Sequence, residues 1–194
     1  MFIENCDGSR CNDCTKCNTQ GNLVYAGIGS RSTPIEILGN MTELGRLLAE
    51  QHFILRSGHA DGADNAFENG CDISNGKKEI YLPWKGFNKA ENGIYNIPDE
   101  AYEIAKRFHP AWDRLSEPAK KLMARNSCQV LGKDLKTPCN FVICYTPNGK
   151  KTGGTRQAID IAEYCHIPVL NLGAYRVNEF WDRVEEFFST LNMK

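Results

Sequence analysis

The sequence predicts an α/β fold in which helices flank a mainly parallel sheet. Short apolar runs typical of buried strands alternate along the chain with segments whose apolar residues recur at helical spacing. This alternation indicates strands joined by right-handed helical crossovers. Three of the strands also run into glycine-rich turns, and in a parallel sheet such turns gather at the carboxyl edge, where ligands bind. The 194 residues are enough for one domain with a sizeable core.

The opening stretch, 23–34, predicts a strand, a glycine-rich turn and the start of a helix. Pro34 suits the first turn of a helix because its missing N–H has no partner there in any case. Ser32 or Thr33 would cap the free N–H groups. Such a turn aims backbone donors and a positive helix end at one point, which suits a phosphate or carboxylate. The alternative is a tight turn that binds nothing. The predicted site residues here are Gly27, Gly29, Ser30 and Arg31.

The other elements follow in alternation. In chain order, the pattern predicts a helix over 35–51, a strand over 53–57, a helix over 63–69, a strand over 78–82, an inserted loop over 85–98, helices over 99–108 and 118–130, a mid-sheet strand over 140–145, a helix ending near Cys165, a strand over 168–172 and a C-terminal helix over 177–191 with a wide apolar face.

Two more glycine turns follow the strands at 53–57 and 140–145. The second turn contributes Ser57, Gly58, His59, Gly62 and Asp64, the third contributes Gly153, Gly154 and Thr155, and the helix over 118–130 adds Arg125 and Asn126. Arginine suits a bidentate grip on phosphate. Three such turns at one sheet edge predict a phosphate-binding crevice.

The nine cysteines form two groups. Five lie in apolar or mixed sequence, and most of these are expected to be small buried hydrophobes. They are Cys71, Cys128, Cys139, Cys144 and Cys165. The other four form a C-x4-C-x2-C-x2-C pattern in the polar segment 1–20, and they are Cys6, Cys11, Cys14 and Cys17.

In a reducing cytosol this dense pattern predicts a metal knot over 1–20, ahead of a main domain over 21–194. Four thiolates suit structural zinc. An iron–sulfur cluster is one alternative, and a flexible tail with incidental thiols is the other.

The composition favours a soluble protein with a small ligand. Apolar residues make up 41% of the chain, charged residues 24%, and the net charge is −1. A large surface that follows a nucleic-acid backbone needs many Lys and Arg contacts, so a small nucleotide is favoured over a long strand unless the chain forms a homo-oligomer that pools its basic rims. No signal-peptide pattern and no membrane-length apolar run is present, so we expect a cytoplasmic protein without a membrane partner.

The ordered motifs resemble a known family. They are Gly29-Ser30-Arg31, then Ser57-Gly58-x-Ala60-x-Gly62-Ala63-Asp64, then Arg125-Asn126, then Gly153-Gly154-Thr155 followed by Ala158. Over about residues 23–172, this series is similar to the DNA-processing protein A (Smf) branch of the Rossmann-like (SLOG) superfamily, which includes the Lonely Guy phosphoribohydrolases. The resemblance implies a Rossmann-like sheet whose motif edge binds a nucleotide or a nucleic-acid phosphate. Short stand-alone forms of this domain are common in phage and mobile-element genomes.

The chain also departs from the family pattern. His59 replaces a small residue, and Ala158 stands where the hydrolase branch has a glutamate. The cysteine knot and the insertion over 85–98 are not part of the common domain, and no winged-helix-like module follows residue 172.

Three functions stay open at this point. The first is binding of a nucleotide or single-stranded nucleic acid, with Tyr25, Tyr81, Trp84 and Phe87 as candidates for base stacking. The second is cleavage or transfer at the N-glycosidic bond of a nucleotide, a reaction that needs a carboxylate. Its candidate residues are Asp61, Asp64 and Glu68, although Asp61 and Asp64 would equally serve as helix caps. The third is a sensor or sponge for a nucleotide second messenger.

Overall fold

A computed structural model describes residues 23–191 of the chain. Five strands form its sheet: β1 (Val24–Gly29), β2 (Ile54–Ser57), β3 (Lys78–Ile80), β4 (Phe141–Tyr145) and β5 (Val169–Asn171). Every pairing is parallel, and the strand order is β3-β2-β1-β4-β5. The α/β class and the parallel sheet flanked by helices are therefore confirmed.

Within the described residues, six α-helices connect and cover the strands. They are α1 (Ile35–Glu50), α2 (Ala63–Ile73), α3 (Asp99–Phe108), α4 (Glu117–Leu131), α5 (Gly153–Tyr164) and α6 (Phe180–Thr190). From β1 the chain moves outwards through α1 and α2, returns to β4, and then moves the other way through α5. The direction of winding thus reverses between β1 and β4.

Helix α2 continues beyond the predicted end at Asn69. Glycine often ends a helix, but Gly70 lies inside α2 because α1 passes very close to it. A Cβ on Gly70 would lie 2.0 Å from the Thr42 carbonyl oxygen of α1. Gly70 therefore marks a close helix–helix approach rather than a helix end.

The two faces of the sheet bury separate cores, and alternate residues of β1 and β4 supply them. Tyr25 and Phe141 point to the side of α1, α2 and α6, where their rings stack with centroids 5.8 Å apart. Ala26 and Val142 point to the side of α4 and α5. Since both faces are covered, these strands are apolar throughout, and the ends of β1 and β4 are held firmly in place.

Four of the five described cysteines are buried, and Cys165 is exposed. Burial raises the pKa of the Cys71 thiol to about 11 and that of the Cys128 and Cys144 thiols to about 12. The expectation that most of these cysteines are buried is thus confirmed. The predicted knot of Cys6, Cys11, Cys14 and Cys17 lies outside the described residues. Across residues 23–191, none of the helices has the length and apolar character to cross a membrane.

Thiol labelling tests this burial. At pH 8 the native chain should react at Cys165 and stay unlabelled at Cys71, Cys128, Cys139 and Cys144, because thiolates are the reactive form and the buried thiols stay protonated. Peptide mass spectrometry gives the sites, and the chain unfolded in guanidinium is the control. Labelling of Cys144 as fast as Cys165 would contradict the structure.

Burial of the thiols also makes the free energy of unfolding depend on pH. Their folded-state pKa lies above the unfolded value of about 8.5, so the stability they contribute is complete below that pH. It is lost progressively as the pH rises from that value through the folded-state pKa, about 11 for the Cys71 thiol and about 12 for the Cys128 thiol.

Candidate ligand-binding crevice

A crevice of about 530 Å³ opens at the carboxyl edge of the sheet. It lies between the ends of β1 and β4, where the winding direction reverses, and this is the place where open α/β sheets bind ligands. Its walls are the segment after β1, the inner side of α4 and the first turn of α5. The backbone topology alone therefore brings the first and third glycine turns together.

Nine of the residues predicted from sequence line this crevice. They are Gly29, Ser30, Arg31, Asp64, Arg125, Asn126, Gly153, Gly154 and Thr155. The other predicted residues lie behind the wall or outside it. A Cβ on Gly27 would lie 2.7 Å from the ring of Phe67, so this glycine serves core packing. Ser57 is fully buried and donates to the Gly27 carbonyl oxygen at 2.8 Å.

The first glycine turn uses most of its backbone donors within the protein. The Gly29 N–H donates to Asp64 Oδ1 at 3.1 Å, and the Ser30 N–H donates to the Tyr145 carbonyl at 2.9 Å. The Ser32 N–H donates to Ser30 Oγ at 3.1 Å. This turn therefore presents mainly side chains to a ligand, in contrast to the backbone cradle expected from the glycines.

The predicted capping hydrogen bond at the start of α1 does not form within residues 23–191. No side chain caps the helix at Pro34, and the Thr33 hydroxyl donates instead to the Ser30 carbonyl oxygen at 2.7 Å. Thr33 thus stabilises the turn itself.

Arg125 reaches the crevice through a space that only a glycine leaves open. A Cβ on Gly58 would lie 1.0 Å from Arg125 Nη1. The same Nη1 donates to Asp64 Oδ2 at 3.3 Å, and the guanidinium carbon lies 5.9 Å from the Phe87 ring centroid. Gly58 therefore leaves room for the Arg125 side chain and does not itself line the crevice.

Among the described residues that line the crevice, Asp64 is the one carboxylate. Burial raises the pKa of this carboxyl, while the Arg125 guanidinium and the Gly29 N–H oppose that rise. Because both oxygens accept hydrogen bonds from the protein, Asp64 joins β1, α2 and α4. This geometry makes it a structural anchor for Arg125.

The other two catalytic candidates lie away from the lining. Glu68 is buried and accepts hydrogen bonds from the His59 N–H at 2.8 Å and from His59 Nδ1 at 2.9 Å. Burial raises the Glu68 pKa, and the bond from His59 opposes the rise. Asp61 is exposed beside Gly62, whose φ of +84° lets the second turn pack against the first.

The first turn of α5 faces the crevice without a side-chain cap. Gly153 begins the helix at a φ of +62°, which favours glycine. Asn126 Nδ2 donates to the Gly154 carbonyl oxygen at 3.1 Å and ties α4 to this turn. Lys151 and Arg156, which could have added charge here, pair with Asp160 along α5.

Sequence reasoning missed several polar residues in and around the crevice, and Gln129 and Asn171 are two of them. Gln129 lines the crevice one helical turn after Arg125, and the spacing of four was its only signal. Asn171, at the end of β5, accepts from the Thr146 N–H at 3.1 Å and the Gly173 N–H at 3.2 Å, and so holds the chain leaving β4. Its short β5 strand carried no turn motif to mark it.

The aromatic candidates for base stacking do not line the crevice. Tyr25, Tyr81 and Phe87 are buried, and Trp84 packs edge-on against Phe87 at a centroid distance of 5.2 Å. Burial keeps the rings of Tyr25, Tyr81 and Phe87 away from a base in the crevice, whereas Trp84 is 38% exposed outside the crevice lining. Base stacking on Trp84 stays a prediction.

The fold resembles two solved structures of the molybdenum-cofactor (Moco) carrier protein of Chlamydomonas reinhardtii. One aligns with a TM-score of 0.52 at 15% identity and covers 88% of this chain and 100% of that chain. The other gives a TM-score of 0.40 at 14% identity with the same coverage. No family model and no curated protein matches the sequence. At this identity the likeness extends to the α/β fold alone.

Substitution of Gly58 tests the anchoring of Arg125. Gly58→Ala should lower the free energy of unfolding by about 1–3 kcal/mol, because the new methyl group displaces a buried guanidinium. Urea denaturation measures the change. Gly39→Ala is the matched control, since a Cβ there meets nothing within 4 Å, and it should raise stability by about 0.5–1 kcal/mol in this helix. Equal effects of the two substitutions would contradict the close approach of Arg125 to Gly58.

Proposed function

We propose that the chain is a binding protein for a phosphate-bearing small molecule, a nucleotide or a nucleotide derivative, held in the crevice between β1 and β4. The observation that carries the proposal is the position of Arg31. This arginine is exposed, lines the crevice, and has no ion pair or side-chain hydrogen bond with any residue in 23–191. Its guanidinium is available for a bidentate grip on a phosphate.

The first turn of α5 also favours a phosphate in the crevice that Arg31 lines. Backbone N–H groups at a helix start have no partner within the helix, and the helix dipole favours an anion there. No side chain in the described part of the chain caps α5, and Gly153 and Gly154 leave the backbone accessible. The helix end and Arg31 line the same crevice, so both are available to one bound anionic ligand.

The charge balance of the crevice also favours an anion. Within residues 23–191, two arginines and one carboxylate line it, and the carboxylate is paired with Arg125. Arg31 and Arg125 lie close enough for Arg31 to lower the pKa of Arg125, although burial is the main cause of that lowering. An anionic ligand would relieve this repulsion.

Two likenesses add support for a small ligand. The motif series resembles a nucleotide-binding superfamily, and a protein of similar fold is named as a carrier of the molybdenum cofactor. Each likeness is to proteins with a small-molecule ligand. The near-neutral net charge of −1 also favours a small ligand over a long nucleic-acid strand. We place binding ahead of N-glycosidic cleavage because Asp64, the carboxylate at the crevice, has both oxygens occupied by protein donors.

Calorimetry with nucleoside monophosphates and the matching nucleosides tests the proposal. A monophosphate should bind at least about tenfold more tightly than its nucleoside, since hydrogen bonds to a charged group contribute about 1.5–3 kcal/mol. Arg31→Ala should remove that difference with no change in melting temperature. Arg156→Ala, which removes the same charge from the outer side of α5, is the matched control and should bind like the original chain.

Three outcomes would overturn the proposal or redirect it. Absence of binding by every phosphate-bearing ligand would remove the site. Release of free base, followed by chromatography, would assign the chain to N-glycosidic chemistry. Tighter binding of a single-stranded oligonucleotide than of any mononucleotide would make nucleic acid the ligand.

We also propose that Cys6, Cys11, Cys14 and Cys17 hold a structural zinc ion, because four thiolates in so short a segment match its tetrahedral requirement. Elemental analysis of the purified chain should give about one zinc per chain. Cys14→Ser should lower that content, whereas Cys165→Ser should leave it unchanged. Iron in place of zinc would indicate a cluster, and a metal-free chain would overturn the proposal.

A further inference from the structure

We infer that the Nε2 atom of His59, activated by Glu68, is a nucleophilic site that accepts a phosphoryl group from a small reactive donor such as phosphoramidate. His59 belongs to the second glycine turn, and Glu68 belongs to α2. Neither residue lines the crevice. The inference therefore goes beyond the proposed binding function and stands independently of it.

Glu68 holds the imidazole ring of His59 in one orientation. The Glu68 side chain is only 6% exposed, and its two oxygens accept from the His59 N–H at 2.8 Å and from His59 Nδ1 at 2.9 Å. Because an ionised carboxylate can only accept hydrogen bonds, the proton of the neutral ring is on Nδ1. The lone pair is therefore on Nε2, the atom that faces away from Glu68, and a histidine held in this way is an activated base or nucleophile.

The backbone of His59 is fixed as well. Its N–H is bonded to Glu68, and its carbonyl oxygen accepts from Asn88 Nδ2 at 3.0 Å. Nε2 is then the one polar atom of His59 without a hydrogen-bond partner within residues 23–191, and it keeps contact with solvent in a side chain that is 30% exposed. The lone pair is thus both oriented by the protein and accessible to a reagent.

The proposed transfer moves one phosphoryl group and leaves the Nδ1 hydrogen bond in place. The Nε2 lone pair forms a new N–P bond, the P–N bond of phosphoramidate breaks, and the electron pair of that bond leaves with the nitrogen as ammonia. The ring gains positive charge, which the Glu68 carboxylate beside Nδ1 stabilises. Burial raises the pKa of Glu68, so this carboxylate is also suited to take the Nδ1 proton from the phosphorylated ring.

Two other histidines match His59 in backbone conformation but lack the carboxylate. The φ angles of His52 and His166 are +63° and +56°, and that of His59 is +56°. His52 and His166 are exposed, whereas His59 is half-buried. Among residues 23–191, the pair of His59 with Glu68 is the one ion pair that a histidine makes. His52 and His166 therefore separate the effect of Glu68 from the effect of exposure.

His109 gives the opposite orientation of the ring proton. Its Nδ1 accepts from the Ala111 N–H at 3.2 Å, so the proton of the neutral ring is on Nε2. The lone pair of His109 is then occupied within the protein. His109 should consequently react more slowly than His59.

Treatment of the original chain with phosphoramidate at neutral pH, followed by peptide mass spectrometry, tests the inference. His59 should be phosphorylated about tenfold faster than His52 or His166, a ratio that corresponds to about 1.4 kcal/mol, because the hydrogen bond to Glu68 strengthens as the ring gains charge. If exposure alone decided the rates, His52 and His166 would react first. That order, or equal rates at the three histidines, would overturn the inference.

Glu68→Gln tests the carboxylate itself. The amide oxygen can still accept from the His59 N–H, while the amide nitrogen would donate to Nδ1 and so move the ring proton to Nε2. Phosphorylation of His59 should then fall by at least about tenfold, as expected for the wrong ring tautomer, with the rates at His52 and His166 unchanged. An undiminished rate at His59 in a folded variant would contradict the role of Glu68. If Glu68→Gln does not fold, the comparison of histidines within the original chain decides the question.

Discussion

A buried ion pair connects the elements that form the crevice. Asp64 at the start of α2 accepts hydrogen bonds from the Gly29 N–H at the end of β1 and from Arg125 in the middle of α4. Removing two charges from water is costly, and the loss of one partner of such a pair typically destabilises a protein by about 3–5 kcal/mol. The two groups therefore constrain each other, and with them the relative positions of the sheet edge and the two helices.

The glycines around this pair make the close approach feasible. Gly58 leaves room for the Arg125 guanidinium, and Gly29 packs so tightly that a Cβ would lie 2.7 Å from that of Ala63. Gly29 in the first turn and Gly58 in the second therefore allow neighbouring elements to pack closely. Neither serves mainly to contact a ligand. The donors left for a ligand are side chains, together with the backbone at the start of α5.

The pair also shapes the electrostatics of the crevice. Asp64 neutralises the deep arginine, while Arg31 at the rim has no such partner among residues 23–191. Among the described lining residues, the arginine whose charge is left for a ligand is therefore Arg31.

The sequence by itself determined the fold class, the helix and strand positions within a few residues, and the sheet edge that carries the crevice. It could do so because apolar periodicity and glycine turns are local signals, and parallel topology brings the ends of the strands together. Helix α3 matches its predicted range, 99–108, for this reason. What only the tertiary structure decided is which side chains reach the crevice. Ser57 and Gly27 belong to motifs but are used in packing, whereas Gln129 has no motif and lies in the crevice wall. The physical reason is that a motif reports spacing along the chain, while accessibility depends on the neighbours that pack against each side chain.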